Sequence, residues 1–201
     1  MVEEVLGRVA RQTRATVLAI FAVSLAACLN APESSGDGDG DGPVQLLANP
    51  SFEEGGTGWD REGSVEIATT DALSLPPSAA GSRVALLGRG DGDYDSVEQT
   101  VTVPPWTRVL EVSGVQCFTT VEDEEYVFDE FWIYIESADD GEDVVEASNL
   151  DASVAPCTWT SFELTPASYA GEQIRFVVEV SMDENGETLF AVDDLALTAY
   201  P

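Results

Sequence analysis

The residues best suited to chemistry are two aromatics on one short apolar run, Phe131-Trp132-Ile133-Tyr134-Ile135-Glu136. On a strand, period-two alternation puts Phe131, Ile133 and Ile135 on one face and Trp132, Tyr134 and Glu136 on the other. With the aliphatic set turned to the core, Trp132 and Tyr134 make an aromatic platform on an outer sheet surface. Ring faces of this kind stack on the C–H surface of a sugar, while carboxylates and amides bond its hydroxyls. Tyr126, beside the acidic stretch Glu122-Asp123-Glu124-Glu125, would form a rim. The structural alternative is that both strand faces are covered and Trp132 packs beneath a loop.

Composition removes most other chemistries. The 201 residues contain no His and no Lys, and 38 Asp and Glu stand against 8 Arg, a formal net charge of -30. Without imidazole there is no Ser-His-Asp or Cys-His nucleophile and no His-based zinc catalysis. So acidic a surface repels phosphate backbones and anionic headgroups, which excludes nucleic-acid binding and polybasic membrane docking. It reads first as solubility in a salty medium. A small carboxylate-based glycoside hydrolase survives the composition, but no carboxylate pair stands out from the acidic background. The expectation is a protein that is not an enzyme.

The N-terminal region carries an address. Arg8, Arg11 and Arg14 precede an apolar run, Val17 to Ala27, that is short for a membrane span and suits a signal peptide. Its end, Leu25-Ala26-Ala27-Cys28, resembles the bacterial lipobox. That resemblance implies cleavage before Cys28, its modification by fatty acyl chains such as palmitate, and a lipoprotein held in the cell envelope by stable multi-chain anchoring. The alternative is an ordinary secretory peptide with an incidental Cys. In a Gram-negative host, Leu29 resembles an outer-membrane sorting signal. The expected organisation is a signal peptide over 1–27, a lipidated N-terminus and acidic Gly/Asp linker over 28–42, and one folded domain over 43–201. Asp37, Asp39 and Asp41, and again Asp91, Asp93 and Asp95, mimic the start of a calcium loop. Ala48 and Thr102 stand where its closing acid belongs, so the first reads as low complexity and the second as an acidic turn.

From Pro43 onward, short period-two runs alternate with Gly, Pro, Asp and Ser, and no stretch shows a clear helical period. Ten strands are expected, over 44–47, 64–67, 83–87, 96–103, 108–118, 127–136, 144–147, 158–164, 173–182 and 188–198. That many strands in about 160 residues predicts an all-β, two-sheet antiparallel sandwich of the jelly-roll kind. Cys117 and Cys157, the cysteines left beside Cys28, are expected to form a disulfide in an exported chain.

Several motifs together resemble a known superfamily. They are Leu47-Ala48-Asn49-Pro50-Ser51-Phe52-Glu53 followed by Gly58-Trp59, then Val97 to Pro104, then Trp159, Ala170-Gly171, Arg175-Phe176 and Phe190-Ala191-Val192-Asp193-Asp194-Leu195. The chain is similar to galactose-binding-like jelly rolls, and most to carbohydrate-binding modules of families 4, 9 and 22. The resemblance implies a surface-displayed, non-catalytic module for a polysaccharide or glycan. It also implies a structural calcium ion (Ca2+) held by Glu53 and Asp193, with Asp194 as the competing ligand and carbonyls near Asn49 or Ser82 completing the shell. Asp193 falls in alternation with Leu189, Ala191, Leu195 and Leu197, so it would be a buried charge in need of a partner. The alternative is that Glu53 and Asp193 cap turns or pair with Arg83 or Arg175. Trp59, Trp106 and Trp159 are expected to pack rather than bind. A competing function on the same fold is an envelope-structural or protein-interaction lipoprotein.

Overall fold

The computed structural model describes residues 42–78, 81–89, 94–120, 129–137, 141–149, 157–182 and 188–201. The signal peptide, Cys28, the linker up to residue 41 and Tyr126 lie outside the described residues.

Eleven strands form: β1 (Val44–Gln45), β2 (Asp60–Glu62), β3 (Glu66–Thr69), β4 (Arg83–Leu87), β5 (Tyr94–Thr102), β6 (Val109–Thr120), β7 (Glu130–Ser137), β8 (Gly141–Asn149), β9 (Thr160–Leu164), β10 (Gln173–Ser181) and β11 (Thr188–Tyr200). One sheet runs β3-β4-β11-β6-β9, with β1 also on β11; the other runs β2-β5-β10-β7-β8. All pairings are antiparallel. The chain is therefore the all-β, two-sheet sandwich that its alternation predicts.

The period-two pattern sets what lies between the sheets. Ile174, Phe176, Val178 and Val180 of β10 and Phe131, Ile133 and Ile135 of β7 face Leu110, Val112, Phe190, Val192, Leu195 and Leu197 of the first sheet in one buried cluster. Each large side chain there contributes roughly 1.5–3 kcal/mol relative to exposure. Phe131 and Phe190 stack across the core with centroids 5.9 Å apart. A smaller cluster of Val84, Leu86, Cys117, Cys157 and Ala191 is joined by Leu73, Leu75, Leu189 and Trp159. The Cys117–Cys157 disulfide forms, with Cα atoms 5.1 Å apart and a sequence separation of 40.

Three features depart from the sequence reading. β2 consists of Asp60-Arg61-Glu62, all exposed, so it has no apolar alternation to betray it; it forms because β5 offers an edge. A single helical turn, α1 (Thr70–Leu73), is set by the Thr69 hydroxyl accepting from Ala72 N at 3.3 Å and ended by Ser74 in the left-handed region. One turn is too short to show a period.

The third departure is on β11. Its pairing with β6 slips between Asp193 and Ala196, and Asp194 there has φ 50°. The extra residue is a β-bulge that reverses which side chains face inward. Leu195 and Leu197 enter the main core, whereas Leu189 and Ala191 belong to the smaller cluster. Asp193 therefore does not share a face with Leu195 and Leu197, contrary to the simple alternation. Its carboxylate meets Ser78 instead.

Candidate functional site

The outward face of the second sheet collects the candidate ligand-binding groups. On β7, Phe131, Ile133 and Ile135 are buried while Trp132 and Tyr134 are half-buried on the opposite side, as the alternation predicts. Strand register brings neighbours to them: Glu179 of β10 lies opposite Trp132, Val177 opposite Tyr134, and Arg175 opposite Glu136. On the other flank of β10, β5 places Thr100 beside Arg175, Glu98 beside Val177 and Ser96 beside Glu179. Side chains in such positions stand about 5 Å apart.

Hydrogen bonds tie these groups into a fixed array. Tyr134 donates its hydroxyl to Glu179 Oε2 at 2.8 Å, and Trp132 Nε1 donates to Glu130 Oε2 at 3.2 Å. Burial, then the Glu179 carboxylate, pushes the Tyr134 hydroxyl well above the usual phenol range. Arg175 is held between two acids, with Nη1 donating to Glu98 Oε2 at 3.0 Å and Nε to Glu136 Oε2 at 2.8 Å. Val177 faces outward yet is only 1 % exposed, so the surrounding side chains lie over it. Beside Arg175, a shallow depression of about 260 Å³ is lined by Thr100, Glu136, Ser137, Gln173, Ile174 and Arg175.

Tyr94 joins this face without having been singled out by the sequence. It heads β5 and is 45 % exposed. Hydrogen bonding to Glu62 raises its hydroxyl above the ordinary value. Its strand lies one beyond β10 from β7, roughly 10 Å away at the normal strand spacing. A sequence signal existed, since Tyr94 alternates with Asp95 and Val97, but it sits in an Asp/Gly stretch that reads as a turn. Of the other aromatics, Trp59 is buried against Phe52 and Phe176, and its Nε1 donates to Asn49 O at 3.0 Å. Trp106 packs on the main core and Trp159 on the smaller cluster, with Trp159 Nε1 donating to Pro76 O at 3.0 Å.

Glu53 and Asp193 form a second acidic locus. Glu53 Oε1 accepts from Ser82 N and Arg83 N, both at 2.7 Å, and Oε2 accepts from the Ser82 hydroxyl at 3.1 Å. The Arg83 and Ser82 amides hold its carboxyl below the usual range. Gly81, φ 154°, is required there, because a Cβ would fall 2.4 Å from Glu53 Oε1. Asp193 is fully buried, accepts from the Ser78 hydroxyl and from Asp194 N, and is pushed up to about 6 by burial. The charges of Asp194 and Glu53 raise it further. Asp194 itself is exposed.

Glu53 and Asp193 are the acidic pair of this locus, and Asp193 has no basic partner among the described residues. The expected carbonyls are already engaged, Ser82 O by Thr70 N at 2.9 Å and Asn49 O by Phe52 N at 3.1 Å. Among the described residues no three acidic, Cys or His side chains converge on one point. Arg175 pairs with Glu98 and Glu136 and so is not the partner of this locus.

No family model and no curated protein sequence matches this chain. Solved structures do. A family 61 carbohydrate-binding module, determined with β-1,4-galactotriose, aligns with TM-score 0.57 and 16 % identity over 77 % of this chain and 97 % of its own. The C-terminal family 22 carbohydrate-binding module of Clostridium thermocellum Xyn10B aligns with TM-score 0.50 and 16 % identity, over 81 % and 96 %. The shared fold is the two-sheet antiparallel jelly-roll sandwich. At such identity the likeness is one of fold. The same jelly roll serves elsewhere: a Stig cyclase from Fischerella sp. TAU aligns with TM-score 0.50 and 13 % identity, over 79 % and 98 %.

Proposed function

We propose that this protein is a non-catalytic carbohydrate-binding module whose ligand lies across the outward face of the second sheet. The observation that carries the reading is the placement of Trp132 and Tyr134, which turn their rings outward on a rigid strand while their polar atoms are tied down by Glu130 and Glu179. Fixed rings lose little freedom when a pyranose stacks on them, and the flanking glutamates and Thr100 supply partners for its hydroxyls. Tyr94 extends the surface to a length that an oligosaccharide, rather than a single sugar, would bridge. Support also comes from the fold, which the family 61 and family 22 modules share.

In this reading the domain is displayed outside a membrane, anchored by acyl chains on Cys28 and spaced from it by the acidic linker. The Leu25-Ala26-Ala27-Cys28 motif supports it, as does a disulfide suited to an oxidising compartment. A calcium ion held by Glu53 and Asp193 is part of the same proposal. It would offset the repulsion of the two carboxylates and tie β11 to the loop before β4.

Affinity electrophoresis against a panel of soluble polysaccharides tests the binding claim. Retardation by at least one glycan, lost in Trp132→Ala and Tyr134→Ala, is the expected result. Binding that survives both substitutions, or hydrolysis of a bound glycan by the purified protein, would overturn it.

A further inference from the structure

The charge of this same face narrows the class of glycan, an inference that rests on the binding reading above. Glu62, Glu98, Glu130, Glu136 and Glu179 all lie on or beside the outward surface of the second sheet. Four are placed by a defined contact, Glu130 with Trp132, Glu179 with Tyr134, and Glu98 and Glu136 with Arg175, while Glu62 on β2 flanks β5 opposite Ser96. The Trp132 and Tyr134 rings are thus each tied through their polar hydrogen to a carboxylate.

Arg175 is the one basic side chain among the described residues of this face, and two glutamates already neutralise it. An acidic sugar would find no available cation here and would meet several like charges. A sugar bearing a protonated amine meets the reverse: ring faces that attract a cation, with carboxylates beside them. Glu179 is the best placed. It stands opposite Trp132, gives Oε2 to Tyr134, and leaves Oε1 without a protein donor among the described residues.

We infer that the face selects amine-bearing glycans, such as polymers of 2-amino-2-deoxy sugars, over their N-acetylated or neutral counterparts and rejects uronates. One new charge-assisted hydrogen bond from an ammonium to Glu179 corresponds to about a tenfold gain in affinity.

The test is isothermal titration of the purified protein with short oligomers of glucosamine, N-acetylglucosamine, xylose and galacturonate, at a pH where the amine is protonated and at low and high salt. The inference expects glucosamine oligomers to bind about tenfold more tightly than N-acetylated ones, a gap that narrows with salt, and no binding of galacturonate. Glu179→Gln should reduce that affinity ratio. Trp132→Ala should abolish glucosamine binding, which separates this face from loose attraction of a cation to an acidic protein. Equal affinity for amine and N-acetyl forms, or binding of galacturonate, overturns the inference while leaving the binding reading intact. Glucosamine binding that survives Trp132→Ala also overturns it, as does failure of the glucosamine oligomers to bind; the polysaccharide panel decides the binding reading separately.

Discussion

Tyr134 of β7 donates its hydroxyl hydrogen diagonally across the strand pair to Glu179 of β10, which itself lies opposite Trp132. One carboxylate thereby fixes the ring of one aromatic and flanks the other. Tyr134→Phe removes the donor and keeps the ring, so the cost to stability is about 1 kcal/mol, as for a single partly buried hydrogen bond. Urea unfolding checks it. Because the ring persists, glycan affinity should fall less in Tyr134→Phe than in Tyr134→Ala.

The buried Asp193 makes stability depend on pH. Its folded value of about 6 lies above the ordinary 3.8, so the folded state holds the proton more tightly than the unfolded state. Its contribution is complete below about pH 4 and is lost as pH rises through 6. With a chelator present, this group alone lowers stability between those limits, by up to roughly 3 kcal/mol. Asp193→Asn should flatten that segment of a Tm-against-pH profile. Added calcium should raise Tm at neutral pH in the unsubstituted protein and not in Asp193→Asn.

The disulfide closes a loop of 40 residues between β6 and the residues leading into β9. Cys117→Ala with Cys157→Ala should cost about 4 kcal/mol in the chain-entropy model. The small cluster around Trp159 loosens with it, since both cysteines belong to that cluster. Trp159 fluorescence should shift toward that of exposed indole, with chemical denaturation giving the energetic loss.

A net charge of -30 with no lysine puts much of the surface under self-repulsion. Monovalent salt screens it over about 10 Å at 0.1 M. Tm should therefore rise as sodium chloride is added from low ionic strength. A flat response would mean that surface charge contributes little to the stability of the fold.

The legible parts of the fold were those where one strand face is apolar and the other is not. β7 and β10 alternate so cleanly that both their burial and the outward placement of Trp132 and Tyr134 follow from the sequence. β2 was invisible because its Asp-Arg-Glu side chains are all exposed and show no apolar alternation, and its pairing depends on a distant edge of β5. The Asp194 bulge was invisible for a different reason. A single inserted residue changes parity without changing composition, so Asp193 moved away from Leu195 and Leu197. The site was half legible. Its aromatics on β7 share one run, whereas Tyr94, Glu179 and Arg175 reach it through strand order β5-β10-β7, which no local pattern encodes.

Glycan binding on the outward face of the second sheet depends, in the proposal made here, on Trp132 and Tyr134. Its most direct measurement is isothermal titration of the purified protein and of the Trp132→Ala and Tyr134→Ala variants with whichever oligosaccharide the polysaccharide panel identifies. Folding of the variants is verified by circular dichroism. Saturable binding by the unsubstituted protein and at least a tenfold loss, about 1.4 kcal/mol, in each variant are expected. Unchanged affinity in both folded variants would contradict the proposal.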